Sequence, residues 1–251
     1  MSTLETQVGS VVWHEQVSSD PERAQSFYTE LLGWDVERWK PGEANYPIIK
    51  ANGQTHGGFT RAQGDAPAGW IANVLVDDVD EAAAKAQSLG GTVVSGPMEM
   101  AEIGRWAIIA DPQGGVISAY KPEGDYDVPA GTFVWDELLA TDVDVAKRFY
   151  TEVFGWTTAA WDTDQPGRYT IFKRSGDTGA AGLMQRPPGA SGGAIWIPYV
   201  ARDDVDATVA RAKELGATVL MEPSDVENVG RISLLVDPTG ATFGLIKPSP
   251  R

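Results

Sequence analysis

The chain has no cysteine. Disulfides, thiolate nucleophiles and thiolate metal sites are therefore excluded together. Histidine is nearly as scarce, with His14 and His56 the only two. No apolar run approaches the roughly 20 residues that a membrane span needs. The first ten residues carry neither the positive charge nor the apolar stretch of a signal peptide, so a cytoplasmic protein without membrane contact is expected. Positive charge is in short supply: 20 basic residues against 35 acidic ones leave a net charge of −15. That balance argues against nucleic acid and anionic lipid as partners, since both demand clustered cations. It is compatible with a cationic small molecule, but a solubilising surface is the simpler account. No P-loop, dinucleotide fingerprint, HExxH or Ser-His-Asp pattern is present.

What is there is a repeat. Val12 to Trp34 reads VWHEQVSSDPERAQSFYTELLGW, and Val134 to Trp156 reads VWDELLATDVDVAKRFYTEVFGW. Phe149 follows Phe27 by 122 residues. A repeat of this length divides the chain into two copies of one domain, each of about 120 residues and large enough for its own core. The polar, proline-bearing stretch around residues 123–130 reads as the linker, with domains at 1–122 and 131–251.

Each copy holds two units of strand, helix and three strands. Val11 to Val17 alternates as a strand. Asp20 and Pro21 open a helix as N-cap and first residue, Ala24, Phe27, Tyr28, Leu31 and Leu32 form its buried stripe, and Gly33 closes it. Strands are expected at 34–39, 46–51 and 56–61, the last two joined by the hairpin signal Asn52-Gly53. The second unit places strands at 70–76, 92–95, 104–110 and 115–120, with a helix capped by Asp78 and stopped at Gly90. Asp111-Pro112-Gln113-Gly114 has the composition of a tight turn and recurs as Asp237-Pro238-Thr239-Gly240.

Four such units, with VDDVD (Val76 to Asp80) before the second helix and DPxG before the last strand, resemble the vicinal oxygen chelate superfamily of glyoxalase I, bleomycin-resistance proteins and extradiol dioxygenases. The likeness is nearest to its tandem-domain actinobacterial subgroup often labelled "hydroxylase". The resemblance implies an α+β fold of two tandem domains, each a pair of βαβββ units whose curved mixed sheets form a cup for substrate or drug. Members that hold a divalent metal bind it through one side chain on each of two strands per unit. Carried onto this chain, those positions are Trp13, Gly58, Ile71 or Trp70, and Ser118 in the first copy. In the second they are Trp135, Gly182, Ile197 or Trp196, and Gly244. None is a metal ligand, so no metal and no other cofactor is expected.

The resemblance also makes Trp13, Trp70, Ser118, Trp135 and Trp196 candidates for the walls of a binding site. Glu15 and Glu137 lie two residues beyond Trp13 and Trp135 and share their strand face. A carboxylate beside an indole suits a flat or cationic ligand. Desolvated, it could instead act as a general base, or it could serve only to hold backbone amides or an arginine. His56 is a further candidate base. His14, adjacent to Glu15, must point to the opposite face, which counts against a site built from His14, His56 and a nearby glutamate. Trp34 and Trp156 read as core, and Arg105 and Arg231 as partners of nearby acids. The expected function is metal-independent binding of an aromatic or cationic small molecule, of antibiotic or polyketide type. The alternative is an enzyme of the same superfamily acting on a small carbonyl or aromatic substrate, using Glu15, Glu137 or His56. Monomer and homodimer both remain open.

Overall fold

The computed structural model describes residues 8–39, 45–124, 132–161 and 169–250. The linker expected at 123–130 falls largely outside these. The first copy runs β1 (Val11–Ser18), α1 (Pro21–Leu32), β2 (Asp35–Trp39), β3 (Tyr46–Ala51), β4 (Gln54–Arg61), β5 (Gly69–Leu75), α2 (Val79–Ser88), β6 (Thr92–Met100), β7 (Gly104–Ala110) and β8 (Val116–Pro122). The second runs β9 (Phe133–Ala140), α3 (Val143–Phe154), β10 (Thr157–Ala160), β11 (Tyr169–Arg174), β12 (Thr178–Gln185), β13 (Ile195–Ala201), α4 (Val205–Glu214), β14 (Thr218–Val226), β15 (Gly230–Val236) and β16 (Thr242–Pro248). A short 3-10 turn, Ser175–Asp177, joins β11 to β12. This is the α+β architecture expected. No helix among the described residues is long and apolar enough to cross a membrane.

Local signals explain the helix ends. Asp20, Asp78, Asp142 and Asp204 each accept a backbone N–H in the first turn of the helix that follows. Such a cap contributes about 1 kcal/mol. Gly33 and Gly155 close α1 and α3 in the left-handed conformation, where a side chain would be strained. Asn52 (φ 54°) and Gly53 (φ 75°) make the tight β3–β4 turn. β6 exceeds its expected length. It continues through Gly96-Pro97 because it is an end strand of its sheet with irregular register there, where a missing ladder N–H is tolerated.

The strands form two mixed sheets of eight, in the orders β2-β3-β4-β1-β5-β8-β7-β6 and β10-β11-β12-β9-β13-β16-β15-β14. β1 runs parallel to β4 and β9 parallel to β12. The chain packs as two compact units, each drawing on both sequence copies. One holds residues 1–12, 72–128 and 135–196; the other holds 13–71, 129–134 and 197–251.

The core of the first unit gathers Val74, Ala86, Ile109, Ile117, Phe149, Tyr150, Trp156 and Phe172. That of the second gathers Phe27, Tyr28, Trp34, Ile49, Phe59, Val209, Phe243 and Leu245. Trp34 and Trp156 are thus core residues, as their place after the helix caps suggests. In the second unit the Tyr28 hydroxyl donates to Asp237 at 2.9 Å and accepts from Trp70 Nε1 at 3.0 Å. In the first, Tyr150 and Trp196 make the same bonds to Asp111 and to each other, at 2.8 and 2.9 Å. Asp111 and Asp237 also accept the N–H groups of their own turns. The Asp of each DPxG turn is therefore the buried anchor for the tyrosine of the other copy's Phe-Tyr pair. Burial and the neighbouring carboxylate push both phenols well above the usual tyrosine range, so they stay protonated donors.

Candidate functional site

β1 alternates strictly. Val12, His14, Gln16 and Ser18 are buried, while Trp13, Glu15 and Val17 are half-buried on the other face. The ladder places Glu15 opposite Gly58 of β4, and Gly58 opposite Ile48 of β3. Tyr46, two residues before Ile48, reaches across this row, and its hydroxyl donates a short hydrogen bond to Glu15. The Thr60 hydroxyl donates another. Trp13 Nε1 lies 3.2 Å from Glu15 Oε2 and 3.3 Å from the Tyr46 oxygen. Gly58 makes this possible: a Cβ there would overlap the Tyr46 hydroxyl. Burial pushes the Glu15 carboxyl up from its ordinary value, and the bonds from Thr60, Tyr46 and Trp13 oppose the shift without cancelling it.

The arrangement recurs on β9, β11 and β12. Glu137 lies opposite Gly182, and Gly182 opposite Ile171, two residues after Tyr169. Trp135 Nε1 donates to the Tyr169 hydroxyl at 2.8 Å. Tyr169 hydrogen-bonds to the buried Glu137; burial and that carboxylate push the phenol far up, so it remains a neutral donor. A Cβ on Gly182 would overlap the Tyr169 hydroxyl and approach Trp135 Nε1 to 2.7 Å. The position of Thr60, two beyond the glycine, is Met184.

Family models match both halves of the chain. A glyoxalase-like domain covers residues 12–119, and the glyoxalase/bleomycin resistance protein/dioxygenase superfamily covers residues 132–245. The chain belongs to this superfamily. CFP32 of Mycobacterium tuberculosis is 33% identical to it over 254 residues, covering 97% of this chain and 96% of that protein. The anthracycline biosynthesis protein DnrV of Streptomyces peucetius is 30% identical over 259 residues, covering 95% and 93%. Among solved structures, the Mn(II)-bound glyoxalase from Novosphingobium aromaticivorans aligns with a TM-score of 0.61 at 19% identity, covering 96% of this chain and 82% of that one. At that identity the likeness speaks to the fold.

The positions that the resemblance assigns to metal ligands hold other groups. Gly58 and Gly182 are notches filled by Tyr46 and Tyr169. Gly244 lies opposite Tyr199, whose ring fills the space a Cβ would take. Ser118 lies opposite Asn73, is buried, and alternates with the core residues Ile117 and Ala119. Ile197 is buried. No cluster of three or more His, Asp or Glu that could hold a metal occurs among the described residues. Among the described residues each cluster offers one carboxylate and no imidazole, a donor set that does not fit a divalent ion bound in the superfamily's manner.

Other expected site residues separate. Trp70 and Trp196, expected as walls of a binding site, are 4% and 3% exposed and belong to the cores. Their indoles pack edge-on against Tyr28 and Tyr150 and end on those phenols, because the even positions of β5 and β13 face the helices. His14 also faces the core, stacked on Phe133 with ring centroids 3.9 Å apart. His56 is buried beside the Ala51 carbonyl (3.2 Å) and Thr132 (3.3 Å), and burial lowers its pKa. Its placement does not suit a catalytic base, which must reach a substrate proton. Arg105 and Arg231 pair with Asp80 (2.7 Å) and Asp206 (2.5 Å), as expected.

Two clefts lie elsewhere. One of about 730 Å³ runs beside α4, lined by Arg202, Asp203, Asp204, Arg211 and Lys247 among others. A second of about 310 Å³ lies between Leu89, Pro112 and Phe149. The larger is a shelf of mixed charge with Arg211 already paired to Glu30 and Glu214, so the duplicated Trp-Glu-Tyr clusters are the stronger candidates. Residue-by-residue reading missed Tyr46 and Tyr169. Their signal is a tyrosine two residues before an isoleucine in each copy, YPII and YTIF, displaced by one residue from the main repeat offset.

Proposed function

We propose that the chain is a metal-independent binding protein that holds an aromatic or cationic small molecule, of antibiotic or polyketide type, against Trp13–Glu15–Tyr46 and Trp135–Glu137–Tyr169. The observation that carries this reading is the duplicated glycine notch filled by a phenol, beside a half-buried indole and a carboxylate, at a position that the resemblance assigns to a metal ligand. The indole supplies a stacking face and attraction for a cation, about 1–2 kcal/mol when desolvated. The anthracycline relative supports a flat aromatic ligand. Isothermal titration with proflavine and acridone, with and without a chelator, tests the reading. Binding is expected to be indifferent to the chelator and to weaken in Trp13→Ala and Trp135→Ala. Loss of binding on chelation, or no binding of either compound, overturns it.

A second reading, a metal-free lyase or isomerase with Glu15 as general base, is favoured by the upward shift of that carboxyl. It requires turnover that Glu15→Gln abolishes while ligand affinity survives.

A further inference from the structure

We infer that the cleft between α2 and α3 is a second ligand site, which takes a small aromatic carboxylic acid of one or two rings. It stands apart from the Trp-Glu-Tyr clusters and does not depend on what they bind.

The cleft lies wholly within the first compact unit, between the end of α2, the turn that holds Pro112 and the first turns of α3. Its volume is about 310 Å³, near the lower end of the range for small-ligand sites. Phe149, 1% exposed, forms an apolar floor with Leu89 and Pro112. Val145, 39% exposed, carries that apolar surface to the rim. Arg148 lines the same cleft, and its guanidinium makes no hydrogen bond or ion pair among the described residues.

The matching place in the second unit is built differently. Phe149, Leu89 and Pro112 are kept there as Phe27, Leu215 and Pro238. Gly91, Val145, Ser88 and Arg148 are replaced by Ala217, Arg23, Glu214 and Ser26. Each of these differences favours an anion on an apolar bed in the first unit. A Cβ on Gly91 would stand 2.8 Å from the Phe149 ring, so that ring sits in space which the Ala217 side chain denies to Phe27. A ring seated that deeply leaves room above it. Val145 in place of Arg23 makes the rim apolar. Ser88 in place of Glu214 removes a carboxylate, and its hydroxyl donates to the Lys85 carbonyl at 2.7 Å. Arg148 in place of Ser26 supplies the cation.

Neighbouring groups leave that cation to a ligand. Glu152, one turn further along α3, pairs with Lys85 at 3.5 Å. The carbonyls of Lys85, Ala86 and Gln87, which end α2, already accept the N–H groups of Leu89, Gly90 and Gly91. A carboxylate takes two parallel bonds from a guanidinium, so an aromatic acid satisfies both halves of the cleft at once. The overall charge of −15 opposes any anion, and a preference for one must therefore come from a local cation.

Three indoles of similar size separate the outcomes: indole-3-acetate as anion, indole-3-acetamide as neutral ring and tryptamine as cation. Chemical-shift titrations of the isotope-labelled full chain read affinity and place together. The acid is expected to bind about tenfold tighter than the amide and to move the backbone signals of Ser88, Leu89 and Val145, with those of Arg23 and Leu215 unmoved. Arg148→Ser and Ser88→Glu each install the other copy's residue at an exposed position. Both are expected to abolish the tenfold lead while the rest of the spectrum stays in place. Amide or tryptamine binding as tightly as the acid overturns the inference. A lead that survives Arg148→Ser also overturns it, as does an acid that moves no signal at millimolar concentration. Shifts confined to the indole N–H signals of Trp13 and Trp135 would place the acid at the clusters and overturn it too.

Discussion

The Glu15 and Glu137 clusters occupy the same place in two copies of one fold, yet their carboxylates are held differently. Glu15 is half-buried and gathers donors from three strands, at Trp13, Tyr46 and Thr60. Glu137 is buried and holds Tyr169, while Trp135 donates to the phenol instead of the carboxylate. One difference between the equivalent strands β4 and β12, Thr60 in the first copy and Met184 in the second, accompanies it. The shared part, tryptophan, glutamate, tyrosine and an empty glycine position, is what the fold requires for a phenol to lie across the strands. The part that varies is whether a hydroxyl or a thioether stands two residues beyond the glycine.

The largest expected effect breaks both clusters alike. Gly58→Ala and Gly182→Ala each force a methyl group into the phenol, at a cost of about 2 kcal/mol in urea denaturation. Gly182→Ala should cost the more, since its Cβ also crowds the Trp135 nitrogen. Adding Tyr46→Ala to Gly58→Ala should cost less than the sum of the separate changes. Strict additivity would show that the phenol does not occupy the glycine's space.

A smaller change sharpens the contrast. Thr60→Val should destabilise by about 1 kcal/mol, because Glu15 loses a donor. The reciprocal Met184→Thr, placing a hydroxyl two residues beyond Gly182, should shift the thermal midpoint by less, since Tyr169 already serves Glu137. Equal effects at the two positions would mean that the clusters do not differ in the way described.

The smallest effect lies in pH dependence. The Glu15 pKa is raised above its ordinary value of 4.5, so the folded chain retains a proton that the unfolded chain gives up. Its contribution to stability is present below that value and is lost as pH rises through the raised one. Glu15→Gln should therefore gain on the parent protein between pH 4.5 and neutrality, as read from denaturation midpoints across that range. A constant difference would show that Glu15 titrates normally.

Much of the fold was legible because its signals are local. Asp20-Pro21 and Gly33 bound α1 through capping chemistry that involves a few consecutive residues, and Asn52-Gly53 turns the β3–β4 hairpin by its own backbone preference. Strand alternation placed Trp13 and Glu15 on one face and His14 on the other, as the structure finds. The same reasoning could not say which face was which for Trp70 and Trp196. A half-buried strand and a fully packed one look alike when both faces are apolar, and both tryptophans went to the core. Tyr46 and Tyr169 escaped notice because their role depends on a neighbouring strand's register.

The sequence by itself determined the two copies, the four βαβββ units, the helix caps and the DPxG turns. Each rests on residue type or short-range spacing. Only the tertiary structure decided that Asp237 receives Tyr28 and Asp111 receives Tyr150, so that each copy's helix is anchored by the other copy's turn. Only it placed the phenols of Tyr46 and Tyr169 in the glycine notches. These pairings join residues remote in sequence. They are selected by which buried polar groups can satisfy one another once the strands are in register, a condition that no local pattern encodes.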